Sequence, residues 1–183
     1  GSCFCAGYDL SYNNKEDMPY HSSKNDGFWP RHVVEGAFKI WDLATPVIAQ
    51  VHGYCLAGGT ELAASCDLVY VANDVKIGYP VVRSMSPPDN QIFPWLMGMR
   101  HAMEMMLTGE SIDGETAVKQ GFANRSFDVD SLGEEVLKIA EKTHKALGCK
   151  GVTRSDFKFY NNKFNLLEIN TQPGMTNLSL VPE

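Results

Sequence analysis

The chain has no apolar run close to the 18 or so residues that a membrane-spanning helix needs, which excludes a helical membrane span. It has no surplus of basic side chains either. Sixteen Lys and Arg stand against 22 Asp and Glu, a net charge of −6, so the electrostatic footprint of a general nucleic-acid binder is missing. The five cysteines (Cys3, Cys5, Cys55, Cys66 and Cys149) are odd in number and fit no zinc-ligand spacing. They read as reduced thiols of a cytoplasmic protein. The start, Gly1-Ser2-Cys3-Phe4, has no basic stretch and no long apolar stretch, so no signal peptide is expected. Gly1-Ser2 reads either as a tag scar or as native residues. There is no internal repeat.

What is present is one domain's length, 183 residues, with 44% hydrophobic and 21% charged side chains. That is enough chain to bury a core without disulfide staples. Charge is uneven: residues 1–132 carry 9 basic and 16 acidic groups, net −7, whereas residues 133–183 carry 7 and 6, net +1. Such a change of character hints at two origins.

The periodicity predicts an α/β chain. Residues 3–10 read as a strand end turning through Gly7, and the polar stretch 11–27 reads as a mobile loop. Val33, Val34, Phe38, Ile40 and Trp41 mark a helix over 31–43 that Pro46 stops. Residues 47–52 read as a buried strand, followed by a glycine turn ending at Gly58-Gly59, a helix through Cys66 and a second strand over 67–72. That βαβ order implies a mostly parallel sheet. Further helices are expected over 91–107 despite Pro94, over 113–120 closed by Gly121, and over 133–148. The methionines of the first of these read as core filling. Residues 154–170 read as a β-hairpin turning at Asn161-Asn162.

Gly58-Gly59 falls where a strand gives way to a helix. The first N–H groups of a helix lack internal partners and sit at the positive end of its dipole, a place that suits a developing oxyanion. Glu61 follows Gly58 by three residues, so its carboxylate can face the same space. A base beside an oxyanion site is what proton transfer next to a carbonyl requires. On the pattern alone, a Glu61 that merely caps the helix is the simpler reading. His52, next to the turn, reads as a buried and satisfied histidine.

Phe4-Cys-Ala-Gly-Tyr-Asp-Leu10, Pro46-Val-Ile-Ala-Gln-Val-His-Gly-Tyr-Cys-Leu-Ala-Gly-Gly-Thr-Glu-Leu-Ala63, Cys66-Asp-Leu68, Leu107-Thr-Gly-Glu-Ser-Ile-Asp-Gly-Glu-Thr-Ala-Val118 and Gly121-Phe-Ala123 follow one another in order. Over about residues 3–132 they resemble the crotonase superfamily of enoyl-CoA hydratases and isomerases. The resemblance implies a partial ββα spiral core and an acyl-CoA thioester as substrate, with no cofactor. It implies oxyanion donors at the backbone N–H groups of Tyr8 and Gly58, a CoA groove at Cys5 and Ala6, Glu61 as acid/base, and a trimer or hexamer. It departs from the family at Ile77-Gly-Tyr-Pro-Val81, where Val81 stands at a hydratase's second glutamate. It departs again at Ser86-Pro-Pro-Asp-Asn90, which replaces a glycine-rich stretch. Two-glutamate hydration is therefore not expected, and an isomerase, hydrolase or divergent lyase remains open. Asp89 reads as a solvated turn residue or as a substitute carboxylate. The family's strand–helix–strand portion before the Phe4 turn does not precede it here.

The tail carries a second set of candidates. A three-residue hairpin loop would set Asp156 opposite Glu168 and gather Arg154, Asp156, Glu168 and Asn170 on one face; a two-residue loop would separate them. Such oxygen donors suit Mg²⁺, and a charged solvent face is the equal alternative. Ala146-Leu-Gly-Cys-Lys-Gly-Val-Thr-Arg-Ser-Asp-Phe157 and Leu167-Glu-Ile-Asn-Thr-Gln-Pro-Gly-Met-Thr-Asn-Leu-Ser-Leu-Val-Pro182 resemble D-alanine–D-alanine ligase, an ATP-grasp enzyme. That resemblance implies ATP and Mg²⁺, with Asp156, Glu168 and Asn170 on the metal. It also implies Arg154 and Gly174 at the reaction centre, and Ser179 and Leu180 on D-alanine. The chain thus divides by resemblance into 1–132 and 133–183, with a junction near 127–135. A fusion, a composite of two sequences or a natural recombinant would each produce it. Each half lacks parts of its family's site, so the expectation is a chain inactive by itself or a non-catalytic scaffold.

Overall fold

The computed structural model describes residues 1–8, 29–85, 87–88, 90–146, 154–160 and 163–170, and side chains in all of these but 29–33, 154–160 and 163–170. The expected loop over 11–27 lies outside them.

Two small sheets share one core. β1 (Ile48–Val51), β3 (Leu68–Ala72) and β6 (Arg125–Phe127) form a parallel sheet in the order β1-β3-β6. β2 (Tyr54–Leu56) pairs in parallel with β4 (Lys76–Gly78), which pairs antiparallel with β5 (Ser111–Ile112). The expected parallel sheet is present, with Ile48 opposite Leu68 and Val51 opposite Val71. The glycine turn holds more than expected, because β2 runs through it and founds the second sheet. Val51, Val71, Val75 and Ile77 are fully buried between the layers, each contributing about 1.5–3 kcal/mol by leaving water.

Helices cover the sheets. α1 (Trp29–Trp41) ends four residues before Pro46 would force it to. Its buried face is Ala37, whereas Phe38 and Trp41 are half exposed and meet edge to face, 5.4 Å between ring centroids. α2 (Gly58–Ala64) buries Thr60, Glu61, Ala63 and Ala64. α3 (Phe93–Thr108) accepts Pro94 in its first turn, where no intrahelical N–H is needed. It breaks at Gly98 (φ 74°, ψ 158°). Met97 and Met105 fill the core as expected, but Met99 and Met103 are exposed. α4 (Gly114–Lys119) starts at Asp113, whose Oδ1 accepts the Thr116 N–H at 2.8 Å. That bond holds the Asp113 carboxyl below its ordinary value. Its stabilisation is therefore present above the usual carboxylate range and lost as pH falls through the lowered value.

α5 (Val129–Ala146) begins four residues earlier than the expected helix. Leu132, Val136 and Ala140, spaced four apart, are its buried residues. The junction expected from the two resemblances thus falls within one continuous core helix. Beyond it, β7 (Arg154–Tyr160) and β8 (Lys163–Asn170) form the expected hairpin, and β8 runs close to α5 and β1. Its loop is the two-residue one, since Tyr160 pairs with Lys163. A register shift next to Asp156 and Phe157 then restores Asp156 opposite Glu168 and Arg154 opposite Asn170. The pairing that a three-residue loop was needed for is reached through a bulge instead. No helix among the described residues is long and apolar enough to cross a membrane.

The N-terminal segment is stitched to β2: Cys5 N–H donates to Tyr54 O at 3.0 Å and Leu56 N–H to Cys5 O at 2.9 Å. Gly59 is what permits this approach, because a Cβ there would run into the Cys5 carbonyl oxygen and lie 2.8 Å from the Cys5 Cβ. Gly59→Ala is expected to cost about 1–3 kcal/mol, read as a lower urea midpoint. An unchanged midpoint would show that the segment is not held against the turn.

Candidate active site

The site is built on the turn that ends β2. Ala57 takes a left-handed φ of 51° with ψ −121°, which a residue with a Cβ adopts only at a cost of about 1–3 kcal/mol. The neighbouring backbone holds it there. Ala57 N–H donates to Gly78 O at 3.0 Å, and Ala57 O accepts from Thr60 N–H at 2.9 Å and Glu61 N–H at 3.2 Å. The fully buried Thr60 hydroxyl lies 2.6 Å from Cys55 O and 2.8 Å from Gly78 O, tying α2 to both strands of the second sheet.

Gly7 brings the second wall in. Its φ of +106° suits glycine, and a Cβ there would meet the Ala57 Cβ at 3.1 Å and Leu56 O at 3.3 Å. The chain therefore passes directly over the turn, and the Tyr8 ring lies on Gly58. Tyr8, Gly58, Glu61, Ser65 and Asn90 line one cavity of about 170 Å³, completed by apolar side chains that include Ala37 and Ile40.

Glu61 is 3% exposed. A buried carboxylate is tolerated where donors reach it. Here Asn90 supplies two: its side-chain Nδ2 donates to Glu61 Oε1 at 3.2 Å and its backbone N–H to the same oxygen at 3.4 Å. Ser65 Oγ donates to the Glu61 carbonyl at 2.8 Å, back-bonding one turn along α2. A second cavity of about 360 Å³ shares Ala37 and Asn90 with the first and is walled by Phe38, Trp41, Ile92 and Trp95.

The structure therefore gathers Tyr8, Gly58 and Glu61 around one space. Cys5 and Ala6 do not line it; they lie on the segment leading into Gly7, the Cys5 backbone paired in parallel with that of Cys55. Val81 sits in a 3₁₀ turn (Pro80–Arg83), half-buried against the core and away from the cavity walls. His52 is half-buried rather than buried, its Nε2 3.0 Å from Gly1 O, which gives that ring nitrogen a partner. Cys3, Cys5, Cys55 and Cys66 are free thiols. Burial pushes Cys55 up and Cys66 up to about 11, so both stay protonated at neutral pH.

Asp89, Gly174, Ser179 and Leu180 lie outside the described residues. Arg154, Asp156, Glu168 and Asn170 are placed only by the hairpin register given above. Among the described residues no cluster of three His, Cys, Asp or Glu is arranged to hold a metal. Two participants were not anticipated. Neither Thr60, next to the glycine pair, nor Asn90, next to Asp89, is marked as a site residue by spacing or periodicity. The signal for Asn90 was its place beside the first turn of a helix, where Asn side chains favour local backbone donors.

The sequence profile of the family described as enoyl-CoA hydratase/isomerase matches residues 1–154. A mitochondrial enoyl-CoA hydratase of Pongo abelii is 36% identical over 111 residues, 57% of this chain and 38% of that protein. The crystal structure of an enoyl-CoA hydratase from Mycobacterium smegmatis superposes with a TM-score of 0.65 at 31% identity, covering 78% of this chain and 52% of that one. A separate 49-residue stretch is 74% identical to D-alanine–D-alanine ligase of Pelagibacter ubique, 27% of this chain and 16% of that enzyme. The chain thus spans about half, or less, of the length of each of these three proteins. With the profile running from Gly1 to Arg154 and the two-sheet core matching in three dimensions, the chain belongs to the enoyl-CoA hydratase/isomerase family.

Proposed function

We propose that the Tyr8–Gly58–Glu61 cavity takes an acyl-CoA thioester and moves a proton at the carbon next to its carbonyl. The backbone N–H groups of Tyr8 and Gly58 receive the thioester oxygen. Glu61 takes the proton from the α-carbon, and the C–H electron pair moves into the enolate, whose charge rests on that oxygen. Protonated Glu61 then returns the proton to carbon. One well-aimed donor in such a pair is worth about 100- to 1,000-fold in rate. The reading is carried by one observation: the buried Glu61 shares a cavity wall with both proposed donors. It is the one carboxylate among the described wall residues. A proton shift that removes and restores a proton through one group, or an equivalent one-carboxylate reaction, suits it better than addition of water by two glutamates. The aromatic second cavity favours an apolar acyl group.

Two features outside the cavity extend the reading. Met99, Met103 and Leu107 recur every four residues on α3 and are exposed, a stripe that suits a homo-oligomer of the trimer or hexamer kind. The second reading, an ATP-dependent D-alanine ligase, is favoured by the 49-residue match and by the register of Asp156 with Glu168. The donor set fits the metal: Asp156, Glu168 and Asn170 are oxygen ligands of the kind Mg²⁺ takes, and the ion would neutralise phosphate charge there.

Ligand linkage separates the two readings. A short-chain acyl-CoA at 100 times its Kd should stabilise the chain by about 2.7 kcal/mol without metal. Stabilisation by ATP, Mg²⁺ and D-alanine alone would favour the ligase. With acyl-CoA bound, Glu61→Gln should abolish exchange of the α-proton with solvent deuterium while leaving Kd within a few-fold; retained exchange would remove Glu61 from the reaction. Sedimentation should find an oligomer that Met99→Glu with Met103→Glu disperses; a monomeric parent would contradict the stripe's assignment.

A further inference from the structure

Asn90 is 8% exposed and stands just before α3. Its Oδ1 accepts the Ile92 N–H at 3.3 Å. A backbone N–H can only donate, so this contact fixes which end of the amide is oxygen. The nitrogen end is thereby turned to Glu61, with Nδ2 3.2 Å from Oε1. The Asn90 backbone N–H points at the same oxygen. An aspartate in this position would keep the Ile92 contact and present a second anion to Glu61. Asn90 also lines both cavities, so it stands where the reacting carbon and an acyl group would meet.

We propose that Asn90 is a positioning residue that holds the Glu61 carboxylate in one orientation and in its ionised form, so that Glu61 rests as a base rather than as an acid. The inference rests on the reading of Glu61 as the proton-transfer group. Donors to a carboxylate favour its charged form, which offsets the desolvation that burial imposes. Among the described residues, each packed element contributes to the surroundings of Glu61. The N-terminal segment brings Tyr8 to the cavity, α1 brings Gly36, Ala37 and Ile40 with Glu35 adjacent in sequence, and α2 brings Leu62 and Ser65. Tyr8 is the other titratable side chain on the described wall.

The test follows the Glu61 carboxyl directly by infrared difference spectroscopy across a pH titration, with Glu61→Gln to assign the band. Asn90→Asp should raise the titration midpoint by about one unit or more, since a like charge disfavours ionisation. Asn90→Ala should raise it by less, and both should slow α-proton exchange at neutral pH by about 10-fold or more with acyl-CoA Kd changed only a few-fold. Midpoints equal to the parent's in both variants would overturn the proposal. A readout that needs no Asn90 variant is the side-chain NH₂ resonance of Asn90. It should titrate with Glu61 in the parent and stop doing so in Glu61→Gln, and a resonance that ignores Glu61 would equally overturn it. Absence of exchange in the parent, or its persistence in Glu61→Gln, would instead remove the proton-transfer reading and leave the infrared result standing.

Discussion

A backbone tie at one strained residue supports everything else in the site. Ala57 is held at a left-handed φ because its N–H is bound to Gly78 and its carbonyl to the first turn of α2. Strain of about 1–3 kcal/mol persists only where the surroundings over-determine it, and here two strands and a helix do so. Thr60 completes the arrangement, its one hydroxyl proton within reach of carbonyls of both β2 and β4. Released from this tie, α2 would have no fixed angle to the strands. Gly58 and Glu61 would then lose their common cavity.

The same tie explains why the N-terminal segment belongs to the site. The segment adds itself to β2 through backbone bonds that any residues could make, but its close passage depends on glycine at two points. Gly7 lets the chain turn over Ala57, and Gly59 gives room to the Cys5 carbonyl. The glycine pair therefore serves two purposes, one face receiving the crossing segment and the other opening toward the cavity. Asn90 reaches the same place from the stretch just before α3.

Much of this was legible in the sequence. The strand–turn–helix–strand order predicted β1, α2 and β3, and the three-residue spacing from Gly58 to Glu61 predicted their shared space. Short strands were less legible. β4, β5 and β6 have two or three residues each, too few for periodicity to register, and they exist because neighbouring edges recruit them. Phe38 and Trp41 lie on the apolar face that the spacing marks but stand half exposed at the second cavity, since periodicity marks an apolar face without saying what covers it. The turn at Asn161-Asn162 is where the sequence puts it, but the expectation that a two-residue loop separates Asp156 from Glu168 fails, because a bulge, invisible in the pattern, restores the register. The two resemblances divide the sequence near residue 132, but the core does not divide there. Leu132, Val136 and Ala140 pack from one helix into one interior, so residues after the junction are part of what holds the sheet.

Polarisation of a bound thioester tests the oxyanion site most directly. The carbonyl stretch of a ¹³C-labelled acyl-CoA is recorded free in water and bound to the chain. Donors at Tyr8 and Gly58 predict a bound band at lower frequency than the free one, because hydrogen bonds draw charge onto the oxygen and weaken the double bond. A thioester that binds in this cavity with its carbonyl band unmoved would contradict an oxyanion site at the Ala57 turn.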